Sequence, residues 1–268
     1  MKTTLNGVEI YVKDQGLGQP TLVFLHYWGG SSRTWDQVIA ALPTHYRSVA
    51  PDLRGWGDSA APADAYALDD FAKDAQALIT VLDLKNYVLV GHSMGGKIAQ
   101  LFASRRPAGL AALVLVAPSP PIPLVLPPEI RTAMQNAYNS RETVGMAIDQ
   151  MLAGKQLSAA LREQVIEDSL RGAPQAVAAW PNSTSYEDIT AQVAGINIPT
   201  LVVAGELDRI DPASILQAEV LSRITGATMQ VLPGTGHLSP LESPIELAAI
   251  ISSFVDSLVH EKGEATLA

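Results

Sequence analysis

Short apolar runs limit what this chain can fold into more than any other feature. Thr21–His26, Tyr87–Val90, Ala112–Val116 and Thr200–Ala204 are each almost continuously apolar. A strand with one face in water alternates apolar and polar residues, so a run without that alternation needs a strand buried on both faces. Thr228–Leu232 is read the same way, and Arg47–Ala50 is a weaker strand candidate. Asn6-Gly7, flanked by alternating residues, reads as a hairpin turn joining strands at 2–5 and 8–13. Between the runs, Asp69–Leu82, Gly95–Arg106 and Pro212–Ile224 read as helices, with Pro212 as first helical residue and Asp211 as its N-cap. Ser243-Pro244 opens a last one, with Ile245, Leu247, Ile250, Ile251, Phe254 and Leu258 at helical spacing. Buried strands alternating with helices predict an α/β fold, a mostly parallel central sheet flanked by helices.

The alternation breaks once. From Ala111 to Pro128 the chain is uncharged over 18 residues, but six prolines rule out a membrane helix there. Beyond it no strand pattern returns until Ile198, and Ile130–Tyr138, Val144–Leu152, Leu157–Leu170 and Gln175–Trp180 read as short helices. The expected organisation is a core over 1–118 and 191–268 interrupted by an all-helical insertion over 119–190. Its methionines, Met134, Met146 and Met151, would fill the insertion's own core or line a pocket.

Composition removes several classes. The 268 residues carry 18 basic and 27 acidic side chains, a net charge of −9, and Arg105–Arg106, the densest basic spot, reads as a helix end. That is no footprint for nucleic acid. The absence of cysteine excludes disulfides, thiolate metal sites, iron–sulfur clusters and a cysteine nucleophile. Neither a metal-ligand spacing nor a cofactor motif is present, so metal and cofactor are both expected to be none. With no apolar run of signal-peptide length at the N-terminus, the expected location is cytoplasmic.

The chemistry centres on Gly91-His92-Ser93-Met94-Gly95, which matches G-x-S-x-G and sits between a strand and a helix, the context that gives this pattern meaning. The strand must turn sharply into the helix. The serine hydroxyl then projects above the sheet at a helix N-terminus, and the N–H of Met94 is placed to stabilise an oxyanion. A serine hydroxyl needs a base, and the base needs an acid to orient it. Of five histidines, His45 and His260 read as solvated, His26 ends a strand and His92 lies inside the elbow. His237, in the loop Gly234-Thr235-Gly236-His237 directly after a buried strand, is the loop histidine placed late enough for the order Ser, acid, His. Asp208, in Gly205-Glu206-Leu207-Asp208, is the expected acid, with Asp211, Glu206 and Glu242 behind it.

With these segments and Asp52-Leu53-Arg54-Gly55-Trp56-Gly57-Asp58-Ser59, a match to D-x-R-G-x-G-x-S, the chain resembles the α/β-hydrolase fold superfamily over nearly its whole length outside the insertion. The resemblance implies Ser93 as nucleophile, His237 as base, Asp208 as orienting acid and the insertion as a cap. It also implies a second oxyanion donor in His26-Tyr27-Trp28-Gly29-Gly30, where the family often reads His-Gly-x and x donates; here x is Trp28. Tyr27 replaces the usual glycine, either as a packed aromatic or with its hydroxyl in the pocket, and His92 is a further possible pocket residue. Trp28, Trp56 and Trp180 are candidate pocket walls.

Gly91–Lys97 also reads G-x-x-x-x-G-K, but Ile98 stands where a phosphate loop needs Ser or Thr, so Lys97 is read as a helix residue paired to an acidic neighbour. Related dehalogenases and epoxide hydrolases carry aspartate at the elbow, which Ser93 argues against. The expected activity is acyl-enzyme cleavage of a small-molecule ester, lactone or thioester. Carbon–carbon bond hydrolysis, enol-lactone hydrolysis and perhydrolysis stay open within the same triad, and a ligand-binding protein with little turnover is the rival from another class.

Overall fold

In the computed structural model, which describes residues 1–265 and side chains through residue 258, the apolar runs become the middle of an eight-stranded sheet. The strands are β1 (Lys2–Leu5), β2 (Val8–Gln15), β3 (Thr21–Leu25), β4 (Arg47–Pro51), β5 (Tyr87–His92), β6 (Leu110–Val116), β7 (Thr200–Gly205) and β8 (Thr228–Leu232). Their spatial order is β1-β2-β4-β3-β5-β6-β7-β8. Asn6-Gly7 closes the β1–β2 hairpin in register Leu5↔Val8. β2 pairs antiparallel with β4, and all remaining neighbours are parallel.

Successive residues of each central strand point to opposite faces. Leu22, Phe24, Val88, Val90, Val114 and Val116 meet α1 (Asp36–Ala41) and α11 (Pro244–Ala265). Val23, Leu25, Leu89, Leu113, Leu115 and Val202 meet α2 (Leu68–Val81) and α3 (Met94–Ser104). With helices on both sides there is no solvent face for a polar residue, and each buried Val, Leu or Phe contributes about 1.5–3 kcal/mol. β8 departs from the expectation. Among the described residues it pairs only with β7, and Thr228, Gln230 and Val231 are exposed while Leu232 is the one buried residue of the strand. The sequence run is that of an edge strand, not of one covered on both faces.

The segment joining β6 to β7 contains, among the described residues, no strand. It forms α4 (Pro128–Asn136), α5 (Arg141–Ala147) continued by a π-turn over Ile148–Leu152, α6 (Ala159–Leu170) and α7 (Pro174–Asn182). A 3-10 turn at Thr184–Tyr186 and α8 (Thr190–Val193) follow. The helix expected over 144–152 is thus an α-helix that widens into a π-turn. Met146 and Met151 are 45% and 43% exposed, so neither fills a core, while Met134 packs partly buried against the main cluster. α6 is tied to the segment between β3 and α1 by Asp168, buried near its end, which accepts from Arg33 Nε (3.0 Å), Arg33 Nη2 (2.7 Å) and Ser31 Oγ (3.0 Å).

The helix expected over 212–224 is broken into α9 (Ala213–Glu219) and a 3-10 turn, Leu221–Arg223. Pro212 is its N-cap; Asp211, expected there, is instead turned into the interior. α10 (Ser239–Glu242) links β8 to α11. Among the described residues no helix is long and apolar enough to cross a membrane.

Candidate active site

Ser93 lies where β5 hands over to α3, near the middle of the sheet. Its backbone has φ 53° and ψ −115°, a region L-residues rarely enter, at a cost of about 1–3 kcal/mol. Neighbouring bonds hold it there. Ser93 N donates to Val116 O (3.1 Å), and Ser93 O accepts from Lys97 N and Ser119 N, both at 3.0 Å. The elbow's glycine spacing has a steric cause. A Cβ at Gly95 would sit 2.5 Å from Leu25 O and 2.6 Å from His26 O, so α3 could not approach β3 with any larger residue. The Met94 N–H belongs to the first turn of α3, where backbone donors have no intrahelical acceptor and the helix dipole favours negative charge.

The loops after β7 and β8 bring Asp208 and His237 into direct contact. Asp208 Oδ2 accepts from His237 Nδ1 at 2.9 Å, and both groups are buried. Asp208 Oδ1 is occupied by Ile210 N (2.8 Å) and Asp211 N (3.1 Å). Burial raises the Asp208 pKa, but His237 and these N–H bonds outweigh it and hold the carboxyl below its ordinary value. Burial by itself lowers the His237 pKa; attraction to Asp208, then to Asp211 and Glu242, reverses the sign and leaves it raised. An ionised Asp208 keeps the proton on Nδ1, so Nε2 carries the lone pair. His237 N and Leu238 N both donate to Leu152 O of the insertion, at 2.8 and 3.2 Å.

His92, read as a possible pocket residue, is a core residue instead. It exposes no surface, and its Nε2 donates to His237 O at 2.8 Å. Burial pushes its pKa down to about 3, with His237 adding to the effect, so the ring is neutral. It ties the residue next to Ser93 to the backbone of His237.

Trp28 is positioned by a chain of bonds that starts in the D-x-R-G-x-G-x-S loop. Asp52 Oδ1 accepts from Ser32 N (2.6 Å) and Oδ2 from Asp58 N (2.7 Å), while Ser59 Oγ donates to Asp52 O (2.6 Å). Arg54, buried, pairs with Asp74 through Nε (2.7 Å) and Nη2 (2.5 Å). The loop so fixed presents Leu53 N–H to His26 Nε2 at 2.9 Å. That bond makes Nε2 an acceptor and puts the proton on Nδ1, which donates to Tyr27 O at 2.8 Å. Burial lowers the His26 pKa to about 4, so the ring stays neutral. Gly30 N reaches the same Tyr27 carbonyl at 3.0 Å. With its carbonyl held on one side, the Tyr27–Trp28 peptide directs the Trp28 N–H to the other. Tyr27 is buried, with its ring 5.1 Å from that of His92. No sequence signal marks His26 for this role, because it depends on Leu53 arriving from a different strand.

The other sequence candidates take structural positions. Lys97 is buried, but its Nζ donates to Ile122 O (2.9 Å) and Ser185 O (3.2 Å) and not to the acidic partner expected. Burial lowers its pKa to about 8. Trp56 and Trp180 are buried in the cluster between sheet and insertion. Glu206 is exposed and accepts from Gly234 N at 2.7 Å. Glu242 Oε2 gathers Gly154 N (2.8 Å), Gly236 N (3.0 Å) and Lys155 N (3.1 Å), binding the insertion to the His237 loop. His45 is exposed, and the side chain of His260 lies outside the described residues.

Asp211 carries a testable consequence. Burial raises its pKa from 3.8 to about 7, with Asp208 adding to the effect. A group whose folded pKa is raised contributes stability that is present below its unfolded pKa and lost as pH climbs through the folded one. Asp211→Asn removes that loss. The variant's advantage in Tm therefore grows from about pH 4 to pH 7, to several degrees, and levels off above. Melting curves of both proteins at pH 4.5 and pH 8 measure it; an equal Tm difference at the two pH values contradicts it.

A family model described as the alpha/beta hydrolase family matches residues 22–250. A non-heme chloroperoxidase, CPO-A1, of Kitasatospora aureofaciens is 31% identical over 254 residues, covering 88% of this chain and 90% of that protein. A bifunctional esterase/perhydrolase of Acinetobacter calcoaceticus is 27% identical over 272 residues, covering 95% and 99%. Among solved structures, an esterase from Exiguobacterium antarcticum superposes with a TM-score of 0.87 at 24% identity, covering 95% of this chain and 98% of that one.

Proposed function

The chain belongs to the alpha/beta hydrolase family, and on that premise we propose that it cleaves carboxylic esters through an acyl-enzyme on Ser93. The observation that carries the reading is the 2.9 Å bond between His237 Nδ1 and Asp208 Oδ2, in a loop whose His237 carbonyl is held at 2.8 Å by His92, the residue preceding the strained Ser93. His237 Nε2 takes the Ser93 proton as Oγ attacks the acyl carbon, then returns it to the leaving alcohol. Asp208 stabilises the imidazolium. The Met94 and Trp28 N–H groups take the developing oxyanion charge, each worth about 3–4 kcal/mol in the transition state. Water, deprotonated by His237, releases the acid and restores Ser93.

Residues 119–190 act as a cap in this reading, with substrate bound between them and the core. Ser93 is 8% exposed and His237 2%, so the chemistry proceeds away from bulk water. No metal or cofactor takes part in any step.

The relatives favour a second use of the same acyl-enzyme. Hydrogen peroxide in place of water attacks acyl-Ser93, giving a peracid and free serine, the activity named for the Acinetobacter relative. A p-nitrophenyl ester series from acetate to long acyl chains tests both readings. Ser93-dependent multiple turnover with a chain-length optimum supports the esterase. Peracid formation when peroxide is added, at a rate exceeding hydrolysis, assigns perhydrolysis. Absence of Ser93-dependent turnover on any ester contradicts the esterase reading and favours a binding protein or a carbon–carbon hydrolase.

A further inference from the structure

Tyr27 to Gly30 form a tight turn closed by the 3.0 Å bond from Gly30 N to Tyr27 O, and Gly29 has φ +97°. That is the type II arrangement. A type I turn with the same ends differs by rotation of the central peptide, here Trp28–Gly29. Glycine at the third position permits both, so the turn by itself does not fix the Trp28 carbonyl. Its first peptide is held from the core by His26; its second is held from the insertion. Tyr138, between α4 and α5, donates its hydroxyl to Trp28 O at 2.8 Å. Its ring stacks on the Trp28 indole, with centroids 4.1 Å apart and planes at 29°. Trp28 Nε1 donates to Val177 O (3.2 Å), and Ser169 Oγ to Gly29 O (3.2 Å). Tyr138 covers Gly29 so closely that a Cβ there would lie 2.5 Å from its hydroxyl oxygen.

We propose that Tyr138 is a positioning residue for the oxyanion donor: by holding the Trp28 carbonyl and stacking on the Trp28 indole it steadies, from the insertion, the residue whose N–H the core directs. The proposal rests on the reading of Trp28 as that donor. Its reach is specific. The hydroxyl acts on a carbonyl of the turn and the ring on the Trp28 side chain, so transition-state stabilisation depends on a residue outside the core.

Tyr138→Phe keeps the ring and its stacking and removes the hydroxyl. On a p-nitrophenyl ester kcat is expected to fall about tenfold, less than the 10²–10³ of deleting a donor outright. KM should stay within about twofold, because only an interaction of the transition state is weakened. An alkyl trifluoromethyl ketone, which carries an oxyanion when bound to the serine, should lose affinity by the same factor as kcat. Tyr138→Leu, which also loses the stack, should fall further on both readouts. An unchanged kcat in a folded Tyr138→Phe protein whose turnover is still abolished by Ser93→Ala overturns the proposal and leaves the esterase reading intact. So does a loss confined to KM with unchanged inhibitor affinity. Turnover that survives Ser93→Ala instead overturns the reading on which the proposal rests.

Discussion

Ser93→Ala lowers kcat on an activated ester by about 10⁴–10⁶-fold, His237→Ala by a comparable factor, and the double variant by little more than either alone. The sub-additivity follows from the division of labour. The base has no proton to take once the hydroxyl is gone, and the hydroxyl is no nucleophile without the base. What survives is the rate supplied by binding and by the oxyanion donors, which neither substitution removes. Both side chains are almost fully buried; Ser93→Ala removes one atom and should melt within a few degrees of the parent, whereas His237→Ala removes a buried ring and leaves Asp208 without its partner, so it should melt lower. Steady-state kinetics of the three proteins with parallel melting curves provide the check. A double variant whose loss equals the product of the two single losses would mean that Ser93 and His237 act in separate steps.

Asp208→Asn costs about 10⁴-fold, the scale expected when the imidazole is held in the wrong tautomer. The local bonding makes the inversion hard to avoid. Oδ1 accepts from the N–H groups of Ile210 and Asp211, so the asparagine carbonyl is pinned to them. The NH2 group then faces His237 Nδ1, which must accept, and the proton moves to Nε2. A ring protonated on Nε2 cannot receive the proton of Ser93. Raising the pH does not restore activity, because the defect is one of tautomer and not of ionisation. An Asp208→Asn protein with more than about a tenth of parental kcat and an unaltered Tm would show that Asp208 does not orient the base.

The parts of the fold that could be read from residues were those in which one short stretch determines its own environment. The buried strands declare themselves because helices on both faces leave no place for a polar residue, and the elbow declares itself because glycine spacing meets a strand–helix junction. Thr228–Leu232 was misread for the complementary reason. Its composition resembles a buried strand, but whether a second neighbour covers it is decided by topology. Asp211 and Lys97 were misassigned because an N-cap and an ion pair are local hypotheses, whereas the carbonyls of Ile122 and Ser185 that receive Lys97 come from segments 25 and 88 residues away. The same distance hides the devices that set the candidate site. His26 acts through Leu53, His92 through the carbonyl of His237, and Tyr138 reaches Trp28 across 110 residues. In each the residue type is ordinary and the information lies in the partner.

The central claim is that Ser93 carries the acyl group. Rapid mixing of the protein with p-nitrophenyl acetate, followed by acid quench and mass analysis of the intact chain and its peptides, tests it most directly. The account predicts a burst of p-nitrophenol equal to one acetyl group per active chain, located on the peptide containing Ser93 and absent from Ser93→Ala. Turnover with no covalent adduct, or an acetyl group borne by another residue, would contradict it.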